Sequence, residues 1–152
     1  MALTVRWGTP ADAPTVAEFN RRLAEETEGK ALDPDLLARG VAAGLADPHK
    51  ALYFLAEEGG EVLGQMMVTT EWSDWRNGWI WWIQSVYVRQ DARRLGVFRS
   101  LYRHVEETAR GRGNVIGLRL YVERENHRAQ ETYRHLGMSE TSYLVFDRCP
   151  IS

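Results

Sequence analysis

Leu3, Val5 and Trp7 alternate with Thr4 and Arg6, the two-residue period of a half-buried strand. The pattern then turns helical. Thr9-Pro10-Ala11-Asp12 offers a capping residue, a first-turn proline and an acid, and Val16, Phe19 and Leu23 follow at helical spacing. This helix should fray near Glu28-Gly29. Asp33-Pro34 repeats the start signal, Leu37, Val41 and Leu45 share a face, and Asp47-Pro48 is the stop. Residues 51–57 and 62–71 read as strands joined by the hairpin turn Glu58-Gly59-Gly60-Glu61. Asn77-Gly78 turns the chain back into a third strand over residues 79–88. Val97, Leu101, Val105 and Ala109 recur every four residues, giving an amphipathic helix that Gly111-Arg112-Gly113 closes. A strand over 115–122, a helix over 126–136 between Asn126 and Gly137, and a last strand over 141–146 complete the pattern. The predicted order is β-α-α-β-β-β-α-β-α-β, an α/β layer structure containing a meander of three antiparallel strands.

A chain of 152 residues with no linker or repeat fits one domain spanning residues 1–152. Its 19 basic and 21 acidic side chains leave a net charge of −2, so no global basic field invites nucleic acid or an anionic membrane. Cys149 is the only cysteine, which excludes an intrachain disulfide and favours a reducing compartment. With no apolar signal core and no run of about 18 apolar residues, a cytoplasmic location without membrane contact is expected. The four histidines show no metal-ligand spacing with one another or with Cys149, so no metal is expected.

Residues 79–105 draw the most attention. A strand-like run passes through Arg93-Arg94-Leu95-Gly96-Val97-Phe98 into a helix, an arrangement that presents backbone N–H groups and a helix N-terminus to a phosphorylated ligand. An arginine-rich loop that merely caps a helix would read the same way. No Gly-x-x-x-x-Gly-Lys-[Ser/Thr] occurs, which excludes a nucleotide P-loop. Gly111-x-Gly113 lies between a helix and a strand, the wrong order for a dinucleotide fingerprint.

Ser85-Val86-Tyr87-Val88, the Arg93-x-x-Gly96-x-Phe98 turn, the helix carrying Leu101, the strand ending Tyr121-Val122, and Asn126, Ala129, Tyr133 and Gly137 together resemble the GCN5-related N-acetyltransferases (GNAT). The resemblance implies a single domain with a mixed, mostly antiparallel sheet flanked by helices. It also implies acetyl-CoA as co-substrate and direct attack by an acceptor amine in a ternary complex. On this basis the pyrophosphate would lie on the turn formed by Arg93, Arg94, Leu95, Gly96, Val97, Phe98 and Arg99. A bulge in the fourth strand would expose the backbone of Val86, Tyr87 and Val88 to the pantetheine arm and thioester carbonyl. Asn126 would contact the pantetheine arm and Tyr133 would protonate the departing sulfur. Phe98 departs from the family pattern, placing a bulky side chain where a small residue is usual.

The acceptor side rests on residue chemistry. Glu71 is the first candidate for a general base, with Glu26 and Glu123 behind it. Trp72, Asp74, Trp82 and Gln84, with Glu26, could form an acidic and aromatic wall for a protonated amine on a small molecule or peptide. Five of the six tryptophans fall within residues 72–82, which would suit a core or a homodimer interface equally well. An acyl-CoA-binding sensor without turnover is the competing reading.

Overall fold

In the computed structural model, which describes residues 2–152, five strands form one sheet in the order β1-β2-β3-β4-β5. The strands are β1 (Thr4–Trp7), β2 (Leu52–Glu58), β3 (Glu61–Ser73), β4 (Gly78–Val88) and β5 (Val115–Leu120). The first four pair antiparallel and β5 runs parallel to β4. The parallel step requires a crossover, which α3 (Val97–Arg112) supplies. Before β2 come α1 (Ala13–Glu28) and α2 (Pro34–Ala46).

The start and stop signals act where the sequence places them. Asp33 caps α2 by accepting from the N–H groups of Asp35 and Leu36, and Gly29 closes α1 in the left-handed region. A 3₁₀ turn at Pro10–Asp12 precedes α1. Here Asp12, 9% exposed, accepts two guanidinium bonds from Arg6 at 2.9 Å and the Thr9 N–H at 2.7 Å. Arg6 also reaches Glu57 at 3.0 Å, so one guanidinium joins β1, β2 and the start of α1.

Alternation along the strands gives the sheet two unlike faces. One carries Phe54, Met66, Val68, Trp81 and Ile83, and α3 covers it with Val97, Leu101, Val105 and Ala109, all buried. The other carries Tyr53 and Leu55, against which Val16 of α1 and Val41 of α2 pack. Farther along, this second face becomes polar, with Gln65, Thr69 and Glu71 on β3 and Trp82 and Gln84 on β4.

The chain divides into two compact units, one ending at Leu120 and the other Tyr121–Ser152. The second contains α4 (His127–His135). Asn126 caps α4 by accepting from the Ala129 N–H at 3.2 Å, and Gln130 donates to the carbonyls of Glu123 and Arg124 at 3.2 and 2.8 Å. The strand expected over 141–146 is not formed. Its residues suit an extended chain, but a strand exists only through a ladder, and this unit holds no second strand to pair with. Among the described residues, no helix is long and apolar enough to cross a membrane.

Candidate active site

The site begins with an irregularity in β4. Gln65 pairs with Tyr87 and Met67 with Gln84, so Ser85 and Val86 together oppose Met66 alone. This is a β-bulge, which takes peptide groups out of the ladder and re-aims them. Ser85 adopts φ +50°, the left-handed region that non-glycine residues seldom enter. Its carbonyl accepts from Gln65 Nε2 at 2.9 Å. The bulge was expected over 86–88 and begins one residue earlier. Ser85 carries part of the family resemblance but not of the expected bulge, although Gln84-Ser85 is the one place where two polar residues interrupt the apolar run of this strand.

Beyond β4, a 3₁₀ turn at Gln90–Ala92 leads to Arg93, Arg94 at φ +70° and Gly96 at φ +80°, and α3 starts at Val97. Two left-handed residues reverse the chain, and glycine serves at the second because that conformation penalises a Cβ. α3 has no side-chain cap, since Gly96 carries none. Gly64 on β3 seats this first turn: a Cβ there would meet Val97 Cγ1 at 2.9 Å and the Tyr87 carbonyl at 3.0 Å. Phe98 is already helical and half-buried, with its ring 6.3 Å from that of Tyr102 one turn later. Its bulk therefore lies along α3, and the sharp part of the turn is complete at Gly96. Arg94, Leu95 and Arg99 are exposed.

Arg93 is differently engaged. Its Nε donates to the Val88 carbonyl at 2.9 Å and its Nη2 to Glu26 Oε1 at 2.7 Å, with the guanidinium 5.4 Å from the Tyr87 ring centroid. Glu26 Oε2 accepts from the Tyr87 hydroxyl at 2.6 Å. The Tyr87 hydrogen bond, and then that from Arg93, hold the Glu26 carboxyl below the usual range, while burial and the Glu26 contact push the Tyr87 hydroxyl up. Arg93 thus fastens the turn to α1 and β4. An open groove of about 1020 Å³ runs past this cluster, lined among others by Glu18, Arg22, Glu26, Glu61, Tyr87 and Arg89. Two of the candidate site residues, Glu26 and Tyr87, line it.

Glu71, Trp82 and Gln84 come together on the polar sheet face. Trp82 Nε1 donates to Glu71 Oε1 at 2.7 Å, and Gln84 Nε2 donates to Thr69 Oγ1. Arg119, directly across from Trp82 on β5, stands 3.7 Å from the same Glu71 oxygen and 5.9 Å from the Trp82 ring centroid. Arg119 was not singled out, because its neighbours come from strands far apart in the chain. Trp72 does not join this group: it points to the other face and meets Trp79 edge-to-face at 5.0 Å. Asp74 lies at the exposed hairpin tip. In the second unit Tyr133 is half-buried on α4, and burial pushes its hydroxyl up, while Asn126 Oδ1 is spent on the cap of that helix.

The bulged strand, glycine turn and uncapped helix are accompanied by matching relatives. The model of the acetyltransferase (GNAT) family matches residues 14–138. A possible acetyltransferase from Clostridium difficile 630 has 43% identity and a TM-score of 0.93, with 100% of both chains covered. The integron cassette protein HFX_CASS3 from the mobile metagenome of Cole Harbour Salt Marsh has 22% identity and a TM-score of 0.83, covering 97% of this chain and 91% of its own. The aminoglycoside acetyltransferase HMB0005 from an uncultured soil metagenomic sample has 19% identity and a TM-score of 0.74, with 100% of both chains covered. These last two share the fold. No curated protein matches the chain at a significant level. With the family model spanning most of its length, the chain belongs to the GNAT acetyltransferase family and is an N-acetyltransferase.

Proposed function

We propose that this enzyme transfers an acetyl group from acetyl-CoA to an amine by direct attack in a ternary complex. The observation that carries this reading is the succession of the Ser85–Val86 bulge, the left-handed turn at Gly96 and the uncapped start of α3. That succession suits an elongated donor with a thioester at one end and phosphates farther along. Acetyl-CoA, when bound, supplies the activated acetyl group. The backbone of Val86, Tyr87 and Val88 aligns the thioester and polarises its carbonyl. The backbone of residues 93–99 takes the pyrophosphate, helped by the exposed Arg94 and Arg99, while Arg93 holds the turn in place.

Tyr133 donates a proton to the leaving thiolate, and Asn126 contacts the pantetheine arm through the part of its amide not used in capping. A tyrosine hydroxyl pushed up by burial is protonated at neutral pH, as an acid requires. Glu71, presented beside Trp82 and Gln84, receives the proton of the acceptor amine, and Glu26 adds negative charge nearer the turn. The family match runs across both compact units, which supports one transferase domain built from them.

The test is thiol release from acetyl-CoA with spermidine, kanamycin, free lysine and a lysine-containing peptide as acceptors. Amine-dependent release with at least one supports the reading. Tight CoA binding with no release on any of them would replace it with an acyl-CoA sensor.

A further inference from the structure

The bulge is held by a side chain that the reaction does not otherwise use. Gln65, 1% exposed, donates from Nε2 both to the Ser85 carbonyl at 2.9 Å and to Asn20 Oδ1 at 2.8 Å. One amide thus joins α1, β3 and β4 at the point where β4 leaves its ladder. Both contacts are to oxygens, so the flipped amide would set oxygen against oxygen, and the orientation is fixed. Its own Oε1 is buried without a partner. An unsatisfied buried acceptor works against stability, and an apolar residue of similar shape would avoid it.

What the amide accomplishes follows from peptide geometry. Ser85 sits at φ +50°, a conformation that persists in a non-glycine residue only where its surroundings over-determine it. The Ser85 carbonyl and the Val86 N–H belong to one planar trans peptide and point in opposite directions. Fixing the carbonyl on Gln65 therefore aims the Val86 N–H away from Gln65. The ladder between β4 and β5 has already ended at Ile83 and Leu120, so this N–H lies beyond that pairing.

We infer that Gln65 is a positioning residue for acyl transfer, setting the direction of the Val86 N–H by holding the Ser85 carbonyl. The inference rests on the proposed acetyl transfer. Gln65 touches no reacting atom and neither gains nor loses a proton.

Its test is a cycle of Gln65→Met and Ser85→Gly, assayed with acetyl-CoA and whichever amine of the panel the unmodified enzyme acetylates fastest. Glycine adopts the left-handed turn unaided, so it should not need the pin. Gln65→Met is expected to lower kcat at least tenfold with Ser85 present and less than threefold with Gly at that position, with KM for acetyl-CoA changing little in both. Loss of one donor's alignment has effects of this size. A kcat unchanged by Gln65→Met, or lowered equally in both backgrounds, overturns the inference. A purely structural role would lower the melting temperature without this rescue. Should Gln65→Met fail to fold, Asn20→Ala, at a half-buried position, is expected to lower kcat through a loosened Gln65, and full retention overturns the inference. The Val86 amide resonance reads the pin without turnover: Gln65→Met should shift it, and an unmoved resonance overturns the inference even if no amine is acetylated. An unmodified enzyme inactive on every amine counts against the proposed function instead.

Discussion

The two faces of the sheet are built from the same strands yet differ in what their side chains do. Between the sheet and α3, Phe54 and Met66 of the strands and Leu101 and Val105 of the helix are fully buried, and packing dominates there. On the other face, Gln65, Glu71, Trp82, Gln84 and Arg119 make directed hydrogen bonds and an ion pair. The period of two lets one strand serve both ends, with one face committed to packing and part of the other left polar. The bulge at Ser85–Val86 lies where β4 leaves this regular alternation, and from that point the proposed mechanism uses its backbone rather than its side chains.

The contrast can be broken first on the apolar face. Leu101→Ala should cost about 2–5 kcal/mol of stability by denaturant titration, with kcat per folded molecule within about twofold of the parent. A large loss of kcat in folded protein would erase the division. Tyr133→Phe should do the reverse, lowering kcat by about a hundredfold with little change in melting temperature. Full turnover in this variant would remove the general-acid role.

Asp12 tests whether the polar face is all chemistry, because its contacts to Arg6 and Thr9 are structural. Asp12→Asn should cost about 2 kcal/mol, the scale of hydrogen bonds to a charged group, with kcat intact. The Arg6 contacts hold the Asp12 carboxyl below its ordinary value of 3.8. Its stabilisation is therefore fully present above about pH 4 and fades as the pH falls through the lowered value. Unfolding curves of the parent and Asp12→Asn should converge on acidification and stay apart at pH 6; a gap independent of pH would count against the pair. The smallest effect belongs to Trp72→Ala. Because Trp72 faces away from Glu71 and Trp82, the amine KM should change less than twofold. A selective rise would restore it to the acceptor wall.

Helix boundaries were legible because their signals are local: Asp33-Pro34 caps and starts α2, and Gly113 ends α3 in the left-handed region whatever packs around it. The hairpins were legible for the same reason. The bulge position depends on how β3 and β4 pair, and the pattern of β4 alone marks it only faintly. The ion pair of Arg93 with Glu26 was not legible, since Glu26 is 67 positions away. Gln65 gave no signal, for a glutamine in a strand says nothing about which carbonyl it will find. Residues 141–146 show the opposite failure, a suitable local pattern without a partner strand in its unit.

The central claim is that the acyl donor rests on the bulge and the turn that follows it. Backbone amide resonances, followed by NMR as acetyl-CoA is added, test this most directly. The largest shifts are expected at Val86, Val88, Gly96, Val97 and Arg99. Shifts confined to the groove residues Glu18, Arg22 and Glu61, with those five unmoved, would place the donor elsewhere and remove the basis of the mechanism.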